Sequence, residues 1–261
     1  MHIKPKKRLG QNFLVDRNIR RKMVAACALS ACDTVLEIGS GSGEMTEILA
    51  DSAARVFALE IDPSLCALLK EKLGAKSNVH IINQDVLKFD FAEFLAQRCA
   101  SVKVVGNIPY YISSPIIERL FECRSGIADI FLTVQKEFAE RLAATPGTSE
   151  YSSLSVFAQY HSRPKILFTV KRTCFYPVPK VDSAFIRLAP GAVFERLPED
   201  EPYFFKVVRS AFGKRRKTLR NSLYGVVSRE KLDNFFKSRK ISPDSRPQEL
   251  TPQDLIDLSN L

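Results

Sequence analysis

Between residues 33 and 135, short β-branched runs alternate with stretches of helical spacing. Residues 34–38, 55–61, 79–83, 102–106 and 127–134 read as strands, and 44–50, 63–73, 92–99 and 113–121 as helices. Such alternation predicts an α/β fold in which helices cover both faces of a parallel sheet. Further on, 152–161 has helical spacing, while 165–170 and 184–188 are strand-like and flank a Pro-rich loop at 177–179. After Leu188 comes a linker-like Ala-Pro-Gly-Ala stretch, and from Pro202 onward the pattern is helical, over 203–212, 218–226, 229–238 and 252–258. A boundary near residue 190 is therefore predicted, with an α/β domain over 1–190 and a small all-helical domain over 191–261.

Composition narrows the class. The 261 residues, 45% hydrophobic and 26% charged, suit one or two ordinary globular domains and exclude collagen or general disorder. No apolar run approaches the ~18–20 residues that cross a bilayer. The basic N-terminus has no apolar stretch behind it, so a secretory signal is not expected. Six scattered cysteines, with no CxxC pair or histidine at ligand spacing, suggest reduced thiols in a cytosolic protein and no metal site.

Charge adds a partner. The net charge is +10, and residues 1–22 hold eight Lys/Arg against Asp16 alone. Residues 206–220 hold seven basic residues and no acid. Basic ends around a nearly neutral middle point to a polyanion, with Lys6, Lys7, Arg8, Arg215, Arg216, Lys217 and Arg220 as the candidate contacts to it. Thr218, Asn221 and Ser222 are of phosphate- and sugar-contacting type. A merely solvated basic face is the competing reading.

Gly39-Ser40-Gly41-Ser42-Gly43 directly follows the first predicted strand and precedes a helix, where glycines let backbone approach a ligand closely. Glu60 ends the second strand, placed to accept hydrogen bonds from both ribose hydroxyls of a nucleoside. Asp85 stands at the end of the third, within reach of an adenine amino group. The loop is GxGxG, and no pyrophosphate site is marked out. This favours a phosphate-free cofactor, S-adenosylmethionine, over a dinucleotide, which stays as the alternative.

Asn107-Ile108-Pro109-Tyr110 follows the fourth strand, at the sheet edge where such folds bind ligands. An exocyclic adenine nitrogen is a poor nucleophile because its lone pair is delocalised. The Asn107 amide oxygen and the carbonyl of Ile108 or Pro109 can accept its two N–H bonds, orienting it and stabilising positive charge as it develops. Pro109 fixes the turn, and Tyr110 offers the base a stacking face. Methyl transfer to an amino nitrogen is the chemistry these residues suit; an ordinary strand-to-helix turn is the bland alternative.

Taken together the chain resembles the ribosomal RNA adenine dimethyltransferases, in particular their small-subunit, KsgA-like branch. The resemblance runs nearly end to end. It rests on residues 7–14 (Lys-Arg-Leu-Gly-Gln-Asn-Phe-Leu), the loop at 37–43, Glu60, Asp85, residues 107–110, Gln135-Lys136-Glu137, the Phe-Tyr-Pro-Val-Pro-Lys-Val-Asp-Ser run at 175–183 and the Arg-Arg-Lys-Thr-Leu-Arg-Asn-Ser-Leu run at 215–223. Leu9 and Ile108 depart from commoner Phe and Leu but keep apolar bulk. The resemblance implies a seven-strand, Rossmann-like methyltransferase sheet with a helical C-terminal domain. It implies cofactor contacts at Asn12, Leu14, Gly39, Gly41, Glu60, Asp85 and Asn107, and Phe175 as a stacking wall opposite Tyr110. The implied reaction places two methyl groups on N6 of each of two adjacent adenosines in a small-subunit rRNA hairpin loop. The implied partner is a pre-30S particle in the cytoplasm, and nothing in the sequence demands more than a monomer. The related large-subunit methyltransferases of macrolide-resistance type, and an RNA-binding assembly factor with secondary catalysis, are the alternatives; a dehydrogenase is more distant.

Overall fold

The computed structural model describes residues 5–98, 101–191, 194–214 and 217–261. In chain order the elements are β1 (Phe13–Leu14), α1 (Arg17–Ala26), β2 (Thr34–Ile38), α2 (Glu44–Ala50), β3 (Arg55–Glu60), α3 (Pro63–Leu73), β4 (Val79–Asn83), α4 (Phe91–Ala96) and β5 (Val102–Asn107). Then come α5 (Ser113–Glu122), β6 (Ile127–Gln135), α6 (Lys136–Ala143), α7 (Ser153–His161), β7 (Ser162–Val170), β8 (Phe175–Tyr176) and β9 (Ser183–Pro190). The last four are α8 (Glu201–Phe212), α9 (Leu219–Ser222), α10 (Arg229–Arg239) and α11 (Pro252–Ser259).

Seven strands form one sheet in the order β4-β3-β2-β5-β6-β9-β7, and β1 pairs with β8 in a separate two-stranded ribbon. The five strands from β4 to β6 run parallel, and β9 is antiparallel to β6. The central strands are apolar along their length because helices cover both faces: Val35, Leu36, Ile38, Val56, Ala58, Leu59, Val104 and Val105 are all buried. Helix starts are set by carboxylate caps. Asp16 accepts from the Asn18 and Ile19 amides, Asp62 from Ser64, and Asp90 from Glu93.

The cut near 190 needs a correction. One compact unit comprises Met1–Ala139 with Arg163–Pro190, and the other Glu140–Ser162 with Gly191–Leu261. Helical spacing over 152–161 is right for α7, but its apolar face belongs to the helical unit. Val156 and Tyr160 share a core with Phe204, Val207, Leu255 and Ile256. Phe204, Phe235 and Phe236 are core residues there, as their spacing suggests. The predicted helix over 218–226 shrinks to α9, and Gly225 follows it at φ +80°. Among the described residues, no helix is long and apolar enough to cross a membrane.

Candidate active site

The strand order reverses between β2 and β5. After β2 the chain goes through α2 to β3 on one side, and after β5 through α5 to β6 on the other. This leaves a crevice beyond the carboxyl ends of the two strands, the general ligand position of open α/β sheets. A cavity opens there, lined by Gly39, Gly41, Glu60, Asp85, Asn107 and Tyr110 among others. All but Asn12 and Leu14 of the expected cofactor contacts are thus gathered from four strand ends, and Asn12 lines the same cavity.

The glycine loop is built for close approach. Gly39 and Gly41 have φ of +75° and +58°, in the left-handed region that side chains disfavour. A Cβ on Gly41 would lie 3.3 Å from the Phe13 ring, so only glycine leaves that gap open. Beneath the loop, Glu60 is 5% exposed; its Oε2 accepts from the Gly41 amide at 2.9 Å and its Oε1 from the Asp62 amide at 2.9 Å. Burial pushes the Glu60 carboxyl above the usual range, against the pull of those amides. Each oxygen still has a lone pair to offer, so the two ribose hydroxyls have acceptors in place. Asp85 lies two residues beyond the end of β4 and accepts from the Leu87 amide at 2.9 Å. Ile61, Val86 and the buried Ile108 supply apolar walls to the same cavity. A glycine cradle, a buried acceptor carboxylate and apolar walls without a phosphate cluster fit the nucleoside part of S-adenosylmethionine.

Residues 5–13 form a strap over this loop. The Lys6 ammonium donates to Asp62 at 2.7 Å, the Gln11 amide donates to the same carboxylate at 3.3 Å, and Gln11 Oε1 accepts from the Lys6 backbone at 2.8 Å. Burial alone would raise the Asp62 carboxyl, but the bonds from Lys6, the Ser64 amide and Gln11 outweigh it and hold it below the usual range. Replacing Lys6 by Met removes the ion pair while leaving the Asp62 cap on α3. Amide hydrogen exchange over 6–13 is expected to speed up with α3 unchanged; equal exchange in both proteins would show that the ion pair does not hold the strap.

Asn107 ends β5 opposite Thr133 of β6. Its Nδ2 donates to the Asn12 carbonyl at 2.9 Å. A carbonyl can only accept, so the amide nitrogen must face it, which leaves Oδ1 to accept from a ligand. The Pro109 carbonyl already accepts from the Ile112 amide at 3.2 Å and the Ser113 hydroxyl at 3.4 Å. The Tyr110 hydroxyl lies 2.6 Å from Ser183 Oγ, which fixes the ring's tilt; burial pushes its phenol up.

Two expected site residues turn their side chains away from the cavity. Leu14 is 8% and Phe175 is 1% exposed, and both belong to a core with Met23, Val24, Phe131 and Phe185. The register explains this: Leu14 pairs with Phe175 and Phe13 with Tyr176, and successive strand residues point to opposite sides. Phe13, not Leu14, therefore lines the cavity, and Phe175 offers no open face. Gln11, Phe13, Tyr111 and Val86 line it without having been chosen as contacts; Gln11 and Phe13 belong to the 7–14 motif, and Tyr111 and Val86 directly follow Tyr110 and Asp85.

The basic candidates divide. Arg8 and Lys217 are exposed. Lys6 is held by Asp62, and Arg220 bonds to Asp233 with its guanidinium 5.7 Å from the Phe236 ring centre. Thr218 caps α9 and Ser222 is buried, so both serve the local fold. Arg215, Arg216 and the side chain of Lys7 lie outside the described residues.

This sheet, with its glycine loop and its acids at successive strand ends, defines a Rossmann-like methyltransferase. Two solved structures share the arrangement across nearly the whole chain. One is the 23S rRNA methyltransferase ErmE, with a TM-score of 0.75, 28% identity, and coverage of 94% of this chain and 97% of that one. The other is a dimethyladenosine transferase from Plasmodium falciparum, with a TM-score of 0.77, 27% identity, and coverage of 94% and 95%. The chain belongs to the ribosomal RNA adenine dimethylase family, whose profile matches residues 2–261. Similar proteins include the ribosomal RNA small subunit methyltransferase A of Geobacillus thermodenitrificans, 44% identical over 98% of this chain and 90% of that one. The protein of the same name from Pediococcus pentosaceus is 41% identical over 98% and 89%.

Proposed function

We propose that this protein dimethylates N6 of two adjacent adenosines in a hairpin loop near the 3′ end of small-subunit rRNA, with S-adenosylmethionine as methyl donor. Its substrate is the pre-30S particle, and it acts as a cytoplasmic monomer that also serves subunit assembly. The observation that supports this best is the Asn107 amide. Its nitrogen is engaged by the Asn12 carbonyl, and its oxygen is available at the edge of a cavity with a nucleoside-binding glycine loop. The choice of subunit is supported by relatives named for the small subunit at 41–44% identity, against 28% for the large-subunit enzyme ErmE.

When bound, S-adenosylmethionine supplies an electrophilic sulfonium methyl group. Asn107 Oδ1 accepts one N–H of the adenine amino group. The Ile108 carbonyl suits the second better than that of Pro109, which already has two donors. Together they turn the nitrogen lone pair toward the cofactor side and stabilise the charge that builds on it. Tyr110 holds the base by stacking, and the bond to Ser183 keeps its ring from rotating away. No strong base is required, because the alkylated nitrogen is acidic and loses its proton to water.

Glu60→Ala is expected to raise the dissociation constant for S-adenosylmethionine at least about tenfold, the scale of losing a charge-assisted hydrogen bond. Calorimetry with an unchanged constant would remove Glu60 from the ribose site. The function itself is tested by incubating the protein with S-adenosylmethionine and unmethylated subunits, followed by nucleoside mass spectrometry. N6,N6-dimethyladenosine in the small subunit alone is the expected product. Large-subunit modification would move the chain to the resistance branch, and tight binding without methylation would leave the assembly role.

A further inference from the structure

The β1–β8 ribbon leaves one aromatic residue unexplained. Phe175 points into the core, while its neighbour Tyr176 is 58% exposed. Tyr176 pairs directly with Phe13, so the two side chains share the ribbon face that does not enter the core. Phe13 lines the cavity and lies against the glycine loop at Gly41. Tyr176 therefore stands one strand further out from the cavity wall, on the same side.

Its surroundings suit a nucleic acid base. Val178 and Val181, 57% and 44% exposed, lie on the same loop. That loop ends at Ser183, whose hydroxyl holds Tyr110. Exposed apolar residues concentrated on a single loop mark contact surfaces rather than ordinary solvated surface. Lys171, Arg172 and Lys180 are exposed on the same segment; of the two acids beside it, Asp182 accepts from the Arg172 amide at 2.9 Å and Asp16 faces the Cys174 thiol at 3.8 Å while capping α1. An aromatic face among cations is the combination that takes single-stranded RNA, with bases stacked and phosphates neutralised.

We propose that Tyr176 is a substrate-contacting residue whose ring stacks on an unpaired RNA base at the mouth of the cavity, next to the adenosine held by Tyr110 and Asn107. This rests on the RNA-methylating reading above. It assigns the outer stacking surface to the exposed member of the Phe175–Tyr176 pair.

The test uses the full-length protein, Tyr176→Ala and Tyr176→Phe. Tyr176→Ala is expected to raise KM for the small subunit roughly ten- to a hundredfold, the range of losing one base–aromatic stack, with affinity for S-adenosylmethionine unchanged. Tyr176→Phe keeps the ring and should restore KM. A second measurement does not depend on methylation. A stem-loop RNA with 2-aminopurine beside the target adenosine is titrated at equilibrium, and its fluorescence should be quenched by wild type and Tyr176→Phe but not by Tyr176→Ala. Equal quenching and equal KM in all three would overturn the proposal while leaving the enzyme reading intact. Tyr176-dependent quenching by a wild-type protein that methylates nothing would uphold the stack and discard the reading on which it was built.

Discussion

Asn107→Ala is expected to lower methyl transfer by roughly 10²–10³-fold at saturating cofactor and RNA, the scale of losing one preorganised polar group aimed at developing charge. The target nitrogen is a weak nucleophile, and its activation depends on acceptors that are already oriented before substrate arrives. Asn107 meets that need because the Asn12 carbonyl, 2.9 Å from Nδ2, prevents the amide from turning over. The same bond ties the strap to the end of β5, so the substitution has a second effect that can be separated. Loosening of the strap changes affinity for S-adenosylmethionine, whereas loss of the acceptor changes the rate at saturation. The half-buried position of Asn107 predicts an unchanged fold, checked by circular dichroism. A variant with near-normal turnover would show that the Ile108 carbonyl alone is sufficient.

The second large effect is on stability. Glu37 is fully buried under the glycine loop and accepts a hydrogen bond from the Thr46 hydroxyl at 2.6 Å. Burial pushes its carboxyl up from 4.5 to about 8, more than the bond to Thr46 lowers it. The folded protein therefore keeps this proton across neutral pH, while the unfolded chain releases it in the ordinary carboxyl range. Between those values the folded state binds more protons, so the contribution of Glu37 to stability is present at low pH and is lost as pH rises through about 8. The loss is on the order of a few kcal/mol. Glu37→Gln keeps the shape and an acceptor for Thr46 but cannot ionise. Urea unfolding at pH 5, 7 and 9 should show wild type losing stability relative to the variant as pH rises. A constant difference across that range would mean that Glu37 is ionised in the folded protein.

Much of the site is legible in the order of residues. Strands buried on both faces are apolar throughout, and helices between them have their own period, so β2 to β6 and their helices follow from local pattern. In a parallel sheet the functional positions are strand ends, which have fixed places in the pattern. That is why Gly39, Glu60, Asp85 and Asn107 could be chosen from spacing, and why all four line one cavity.

The errors share a cause. Periodicity finds α7 but cannot say which core receives its apolar face, and the chain leaves the sheet unit at Glu140 and returns at Arg163. The run Phe175-Tyr176 has two aromatics, and only the pairing of β8 with β1, some 160 residues upstream, turns one inward and the other out. Lys6 and Arg220 look like free cations until Asp62 and Asp233 are placed beside them. Backbone period, turn chemistry and strand-end position are properties of neighbouring residues and survive in one dimension. Strand register, the partner of a charge and the core that a helix joins depend on residues distant in the chain, and the folded contacts alone determine them.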